Sequence, residues 1–174
     1  TKFKKEFLAG VNSLNLAREH SRFVDGLIKH FALASGVDFK NAAIFALGGY
    51  GREELGLHSD IDLLFLCENP DAPQIKKLTD KILYPFWNNR IEIGGATRTV
   101  SECKTIFQQD VRTLSAALDA RLLLGDSKYA QALNSILLAQ FTSKSSKRQF
   151  VLDKLVEQKQ RWHRFGDSVY LLQP

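Results

Sequence analysis

The sequence has no methionine, only two cysteines and four prolines, and no apolar run long enough to cross a membrane. Each shortage excludes something. Cys67 and Cys103 form no CxxC, and His20, His30, His58 and His163 are scattered, so no zinc-ligand spacing exists. The longest apolar run, Ile61–Cys67, is interrupted by Asp62 and falls far short of the roughly 20 residues of a membrane helix. No charged-then-apolar leader opens the chain, so reduced thiols in the cytoplasm are the expectation. The missing methionine and the apolar end at Val169-Tyr170-Leu171-Leu172 suggest a piece of a longer protein. There is no internal repeat and no low-complexity segment.

What is present fits one compact domain: 174 residues, 44% hydrophobic and 25% charged. The net charge of +5 suits an anionic ligand without choosing among nucleotide, nucleic acid and acidic protein. Much of the excess lies in residues 2–5 and 144–164, which read as solvated helix faces. No basic patch is interleaved with aromatics, so nucleic acid is not the expected partner.

Apolar residues recur at helical spacing over residues 3–34, through Phe7, Leu8, Val11, Leu14, Phe23, Val24, Leu27, Ile28 and Phe31. Ser35-Gly36 ends that pattern. Residues 42–47 read as a buried strand, Gly48-Gly49-Tyr50-Gly51 as a tight turn, and residues 52–55 as one helical turn. A second strand covers residues 60–67. Helical spacing returns over residues 75–87. Residues 90–99 read as a third strand, with Gly94-Gly95 as a bulge. Ser101 is positioned to cap a helix, and the rest reads as helical to about residue 165, with breaks at Gly125-Asp126 and near residues 142–146. The expected class is α+β. A small mixed sheet with flanking helices and an N-terminal helix fills residues 1–100, and a helical extension fills residues 101–174.

The segment from Leu47 to Leu64 carries the chemistry. Side chains alternate along a strand, so Asp60 and Asp62 share one face while Ile61, Leu63 and Phe65 take the other. Adjacent carboxylates repel, and a divalent cation between them removes that cost. Mg²⁺ takes one or two carboxylates together with phosphate oxygens. Gly48-Gly49 lets backbone N–H groups approach a phosphate with no Cβ in the way. Diglycine, Ser59 and Asp60-x-Asp62 together describe a site for a metal-bound triphosphate.

That spacing, hydrophobic-Gly-Gly followed about ten residues later by Asp-hydrophobic-Asp, resembles the DNA polymerase beta-like nucleotidyltransferase superfamily. More narrowly, Gly48-Gly49-Tyr50-Gly51-Arg52-Glu53-Glu54-Leu55 with Ser59-Asp60-Ile61-Asp62-Leu63-Leu64 resembles the bifunctional uridylyltransferase/uridylyl-removing family of nitrogen regulation. So do Trp87 with Ile91-Glu92-Ile93-Gly94 and Arg98-Thr99, the run from Ala120 to Asp126, and the run from Arg164 to Pro174. The resemblance implies that Gly48 and Gly49 hold the phosphates of UTP and that Asp60 and Asp62 ligate Mg²⁺. Ser59 and Arg52 would touch phosphate, and Glu92 would be a third carboxylate near the attacking hydroxyl. Arg98 would contact phosphate or substrate, or pair with Glu92. The implied reaction moves UMP to a tyrosine of a PII signal protein and releases pyrophosphate. The alternatives are an adenylyltransferase of the glutamine synthetase type and a nucleotide-sensing module. The sensing reading draws on Asn88, where the family often has Asp, and on Gly95 within a segment where it often has Gly-His-Ser.

Overall fold

The computed structural model describes residues 5 and 8–164. Along the described residues run α1 (Ser13–Ala34), β1 (Ala42–Ala46), α2 (Gly48–Gly51), β2 (Ile61–Cys67), α3 (Pro73–Asn88), β3 (Ile93–Arg98), α4 (Val100–Gln109), α5 (Val111–Ala117), β4 (Arg121–Gly125), α6 (Ser127–Gln140) and α7 (Lys144–Arg164). The strands form one mixed sheet in the order β3-β2-β1-β4. β1 is antiparallel to both β2 and β4, and β2 is parallel to β3. The α+β class expected from the sequence is the one observed.

The sheet is buried on both faces, which is why β1 and β2 are almost continuously apolar. Ile44, Ala46, Ile61, Leu63 and Phe65 pack toward Val24 and Ile28 of α1 and Leu78, Ile82 and Phe86 of α3. Ala43, Phe45, Leu64 and Leu66 pack toward Cys103 and Phe107 of α4, Leu114 of α5, and Tyr129, Leu133 and Leu137 of α6. Each large side chain buried this way contributes about 1.5–3 kcal/mol. Among the described residues no helix is long and apolar enough to cross a membrane.

Local chemistry sets several boundaries differently from the periodicity. The first long helix begins only at Ser13, because the Asn12 side chain accepts from the backbone N–H groups of Leu14 and Asn15. Leu8, Val11, Leu14 and Phe23 are exposed, so their helical spacing marks no core. Phe7 lies outside the described residues. The helical turn expected at residues 52–55 occurs earlier, at Gly48–Gly51.

Gly94-Gly95 makes no bulge, since the β2–β3 register runs unbroken from Ile61↔Ile93 to Leu66↔Arg98. A Cβ on Gly95 would sit 2.8 Å from the Phe65 ring, so this glycine serves close packing. The register irregularity lies instead between Ile44 and Phe45, opposite β4.

The cap of α4 is Thr99, not Ser101. Thr99 and Glu102 form a reciprocal capping box, with the Glu102 N–H donating to Thr99 Oγ1 (3.1 Å) and the Thr99 N–H to Glu102 Oε2 (2.7 Å). Residues 121–124, read as helix up to the break at Gly125, belong instead to the edge strand β4. A short apolar run of that length fits either state, and pairing with β1 decides it.

Candidate functional site

The antiparallel register of β1 and β2 continues one step past the end of β1, where the Leu47 N–H donates to the Asp62 carbonyl (3.0 Å). The chain therefore enters α2 beside Asp62. Gly48 has φ +54°, a conformation that favours glycine. A Cβ on Gly51 would overlap the Asp119 carbonyl and stand 3.0 Å from the Ala46 carbonyl, so α2 sits directly on the segment entering β4. The returning loop is pinned at Leu55, whose N–H donates to Ser21 Oγ (3.2 Å) and whose carbonyl faces His20 Nδ1 (3.2 Å). The loop brings Asp60 and Asp62 to the start of β2.

The result is a cleft of about 320 Å³ lined by Gly49, Tyr50, Glu54, Leu55, His58, Ser59, Asp60 and Asp62. Four of the residues singled out in the sequence, Gly49, Ser59, Asp60 and Asp62, thus share one wall system. Both aspartates are exposed to it. The Asp62 carboxyl is pushed above its ordinary range, first because the surrounding protein removes part of its water and second because of the Asp60 charge. Asp62 shares its sheet face with Leu64 and Leu66, the α4–α6 side.

The other expected residues lie around this cleft rather than in its lining. Gly48 immediately precedes Gly49. Arg52 is held by two carboxylates, donating from Nε to Glu54 (2.7 Å) and from Nη1 to Asp119 (2.5 Å). Its Nη2 still lies 3.9 Å from the position a Gly49 Cβ would take. Glu92 precedes β3, is exposed, and accepts the Ile61 N–H at its backbone carbonyl (3.0 Å). It stands one residue before Ile93, the register partner of Ile61, as Asp60 stands one residue before Ile61. Among the described residues no three His, Cys, Asp or Glu side chains are gathered to hold a metal. Arg98 lies at the far end of β3, opposite Leu66, about 20 Å of strand from Glu92, too far to pair with it.

Sequence reasoning passed over His58 and Glu54, which line the cleft, and missed the network beneath α2. Tyr50 Oη donates to Asp25 Oδ1 (2.7 Å). The Arg121 guanidinium donates to Asp25 Oδ2 (2.7 Å) and Oδ1 (3.1 Å), and to the carbonyls of Gly51 (3.1 Å) and Tyr50 (3.3 Å). Arg121 also lies over the Tyr50 ring, 5.6 Å from its centroid. Burial, and then the Asp25 hydrogen bond and charge, push the Tyr50 phenol far above its ordinary value. Burial opposes the Arg121 charge, but Asp25 outweighs it and the guanidinium pKa rises. The available signal was Ser21 and Asp25, two polar residues four apart on the apolar face of α1.

No family model matches the chain. In an alignment 175 positions long that covers 98% of the chain, it is 34% identical to a bifunctional uridylyltransferase/uridylyl-removing enzyme of Vibrio campbellii. Proteins of the same name from Cereibacter sphaeroides and Gluconobacter oxydans are each 32% identical, over 91% and 99% of this chain. The chain spans about a fifth of these relatives, 20%, 18% and 18% of their lengths. It is related to them in sequence along nearly its whole length. The last segment quoted for the resemblance, residues 165–174, lies outside the described residues. Among solved structures, a chain from a toxin–antitoxin with AMP-PNP covers 76% of this chain and 98% of its own, at 12% identity and a TM-score of 0.47. A chain from the tri-AMPylated Shewanella oneidensis HEPN toxin in complex with MNT antitoxin covers 78% and 98%, at 13% identity and a TM-score of 0.44.

Proposed function

We propose that the cleft binds a magnesium-bound nucleoside triphosphate, with phosphates over the bare backbone of Gly48 and Gly49 and the metal on Asp60 and Asp62. The observation that carries this reading is that Gly49 lines the same cleft as the aspartate pair. Nothing in the fold demands glycine there. Its φ is not in the left-handed region, and a Cβ would meet only Glu54 O at 3.8 Å and Arg52 Nη2 at 3.9 Å, ordinary contacts. A glycine that the fold does not need, lining the same cleft as Asp60 and Asp62, leaves room for a ligand to lie against the backbone. The carboxylates fit Mg²⁺ by chemistry. They are two hard oxygen donors at adjacent same-face positions, and the raised Asp62 pKa means that a cation would relieve an existing cost.

The reaction proposed is transfer of UMP from UTP to a tyrosine of a PII signal protein, with release of pyrophosphate. The relatives named as uridylyltransferases support the choice of UTP. Bound at Asp60 and Asp62, Mg²⁺ would polarise the α-phosphate and offset charge on the leaving pyrophosphate. Ser59, beside the pair, would donate to a phosphate oxygen. Arg52 would add charge from Nη2 while Glu54 and Asp119 fix its fork. Glu92, one residue before the Ile61↔Ile93 pair, would accept the proton of the tyrosine hydroxyl.

One observation favours a second reading, a nucleotide-sensing module without turnover: among the described residues no three His, Cys, Asp or Glu side chains are gathered to hold a metal, and Glu54, the third carboxylate lining the cleft, accepts from Arg52. Incubation with labelled UTP, Mg²⁺ and a PII protein separates the two. Label on the PII tyrosine supports the transferase, whereas UTP binding with no labelled product supports the sensor. A preference for ATP over UTP would contradict the uridylyl assignment.

A further inference from the structure

The cleft accounts for one flank of Asp62, the side of α2 and β1. Its other flank is β3, the edge strand of the sheet, with Gly94 directly opposite Asp62 in register. Gly94 is exposed, and a Cβ there would point at the aspartate, 3.5 Å from Oδ1. That carboxylate oxygen is the sole neighbour such a Cβ would meet within 4 Å, and φ at Gly94 is not in the left-handed region. The fold therefore has no use for glycine at this position. Gly95 differs, because the Phe65 ring occupies the place of its Cβ. Any side chain longer than a methyl at residue 94 would lie over Asp62 from the β3 side.

We propose that the acceptor polypeptide reaches the reacting phosphate over Gly94, so that this residue governs access of the acceptor and not of the nucleotide. The proposal rests on the transferase reading above. In phosphoryl-type transfer the attacking and leaving oxygens lie roughly in line, on opposite sides of the phosphorus. A triphosphate laid along Gly48 and Gly49 sends its pyrophosphate toward α2. The attacking hydroxyl must then come from the opposite flank, which is the open edge at Gly94. The acceptor oxygen forms a bond to the α-phosphorus as the bond from that phosphorus to the α–β bridging oxygen breaks. The hydroxyl proton passes to a carboxylate or water, and the electron pair leaves with pyrophosphate.

The surroundings suit a polypeptide. Trp87, 48% exposed, donates from its indole to the Ile93 carbonyl (3.0 Å), and Ile91 is 42% exposed two residues earlier. Two large apolar side chains therefore flank the same edge where a folded acceptor would rest.

The test uses Gly94→Val and Gly94→Ala in the full polypeptide, with Mg·UTP affinity and UMP transfer to the PII protein measured separately. Valine suits an edge strand, and circular dichroism with the milder alanine variant guards against misfolding. The expected result for Gly94→Val is Mg·UTP affinity within about twofold of wild type and transfer reduced at least about tenfold, with Gly94→Ala between, a loss of about 1.4 kcal/mol or more in transition-state stabilisation. Transfer equal to wild type, or affinity falling as far as transfer, overturns the proposal. A wild-type chain that binds no Mg·UTP overturns the nucleotide reading and this proposal with it.

Discussion

Removing the Asp25 carboxylate should loosen the platform under α2. Asp25 is 8% exposed and accepts three hydrogen bonds, one from Tyr50 and two from the Arg121 fork. Asp25→Ala leaves the Tyr50 hydroxyl, in a residue 1% exposed, without its acceptor and the guanidinium without its counter-charge. Breaking one side of a fully buried pair costs about 3–5 kcal/mol. Here the Arg121 side chain is 27% exposed and keeps the carbonyls of Gly51 and Tyr50 as acceptors, which lowers the cost. The expected loss is about 2–4 kcal/mol. For a chain of this size that shifts Tm by about 6–12 °C at the middle of the range. Tyr50→Phe removes one hydrogen bond to a charged acceptor and should cost less, about 1.5–3 kcal/mol. Asp25→Asn, which retains an acceptor for Tyr50 but not the charge, should fall between wild type and Asp25→Ala. Urea unfolding followed by far-ultraviolet circular dichroism reads all three. An Asp25→Ala variant within about 0.5 kcal/mol of wild type would refute the idea that this network anchors the glycine helix.

Three further outcomes follow from the same geometry. Because the folded-state pKa of Asp62 is raised, its ionised form costs stability above that pKa, and the cost is relieved as pH falls through it. Asp62→Asn should therefore raise stability at neutral pH without ligand by about 0.2–1 kcal/mol after solvent screening, a gain that shrinks on acidification in paired thermal scans. A destabilised Asp62→Asn at pH 7 would contradict the pair repulsion. Gly51→Ala should cost at least about 1–3 kcal/mol through overlap with the Asp119 carbonyl, while Gly49→Ala, with no contact under 3.8 Å, should leave the unfolding midpoint nearly unchanged. Equal midpoints for the two variants would refute that packing difference. Glu92→Gln should leave Mg·UTP affinity within about twofold but lower transfer about 10²–10⁴-fold, and a loss under about threefold would remove Glu92 from the reaction.

The gathering of Gly49, Asp60 and Asp62 at one cleft was legible in sequence because both of its signals are local. Alternation along β2 fixes Asp60 and Asp62 on one face, and adjacent glycines after β1 announce exposed backbone. The chemistry around it depends on partners distant in the chain. Asp25 and Arg121 are 96 residues apart, and no local pattern pairs them. β4 was hidden because five residues, mostly leucine, carry no period that separates strand from helix. The α4 cap was legible but misread. Thr99-x-x-Glu102 is a capping-box signature, whereas Ser101 has Lys104 three residues on. The Gly95 assignment failed because the reason for that glycine, the Phe65 ring, lies on another strand.

The most direct measurement is equilibrium binding of UTP with and without Mg²⁺, to the wild-type chain and to the Asp60→Asn/Asp62→Asn double variant. The account predicts that Mg²⁺ strengthens UTP binding to the wild type by about tenfold or more, about 1.4 kcal/mol, and leaves binding to the folded double variant unchanged. The same Mg²⁺ enhancement in both proteins would contradict the assignment of Asp60 and Asp62 as the metal ligands.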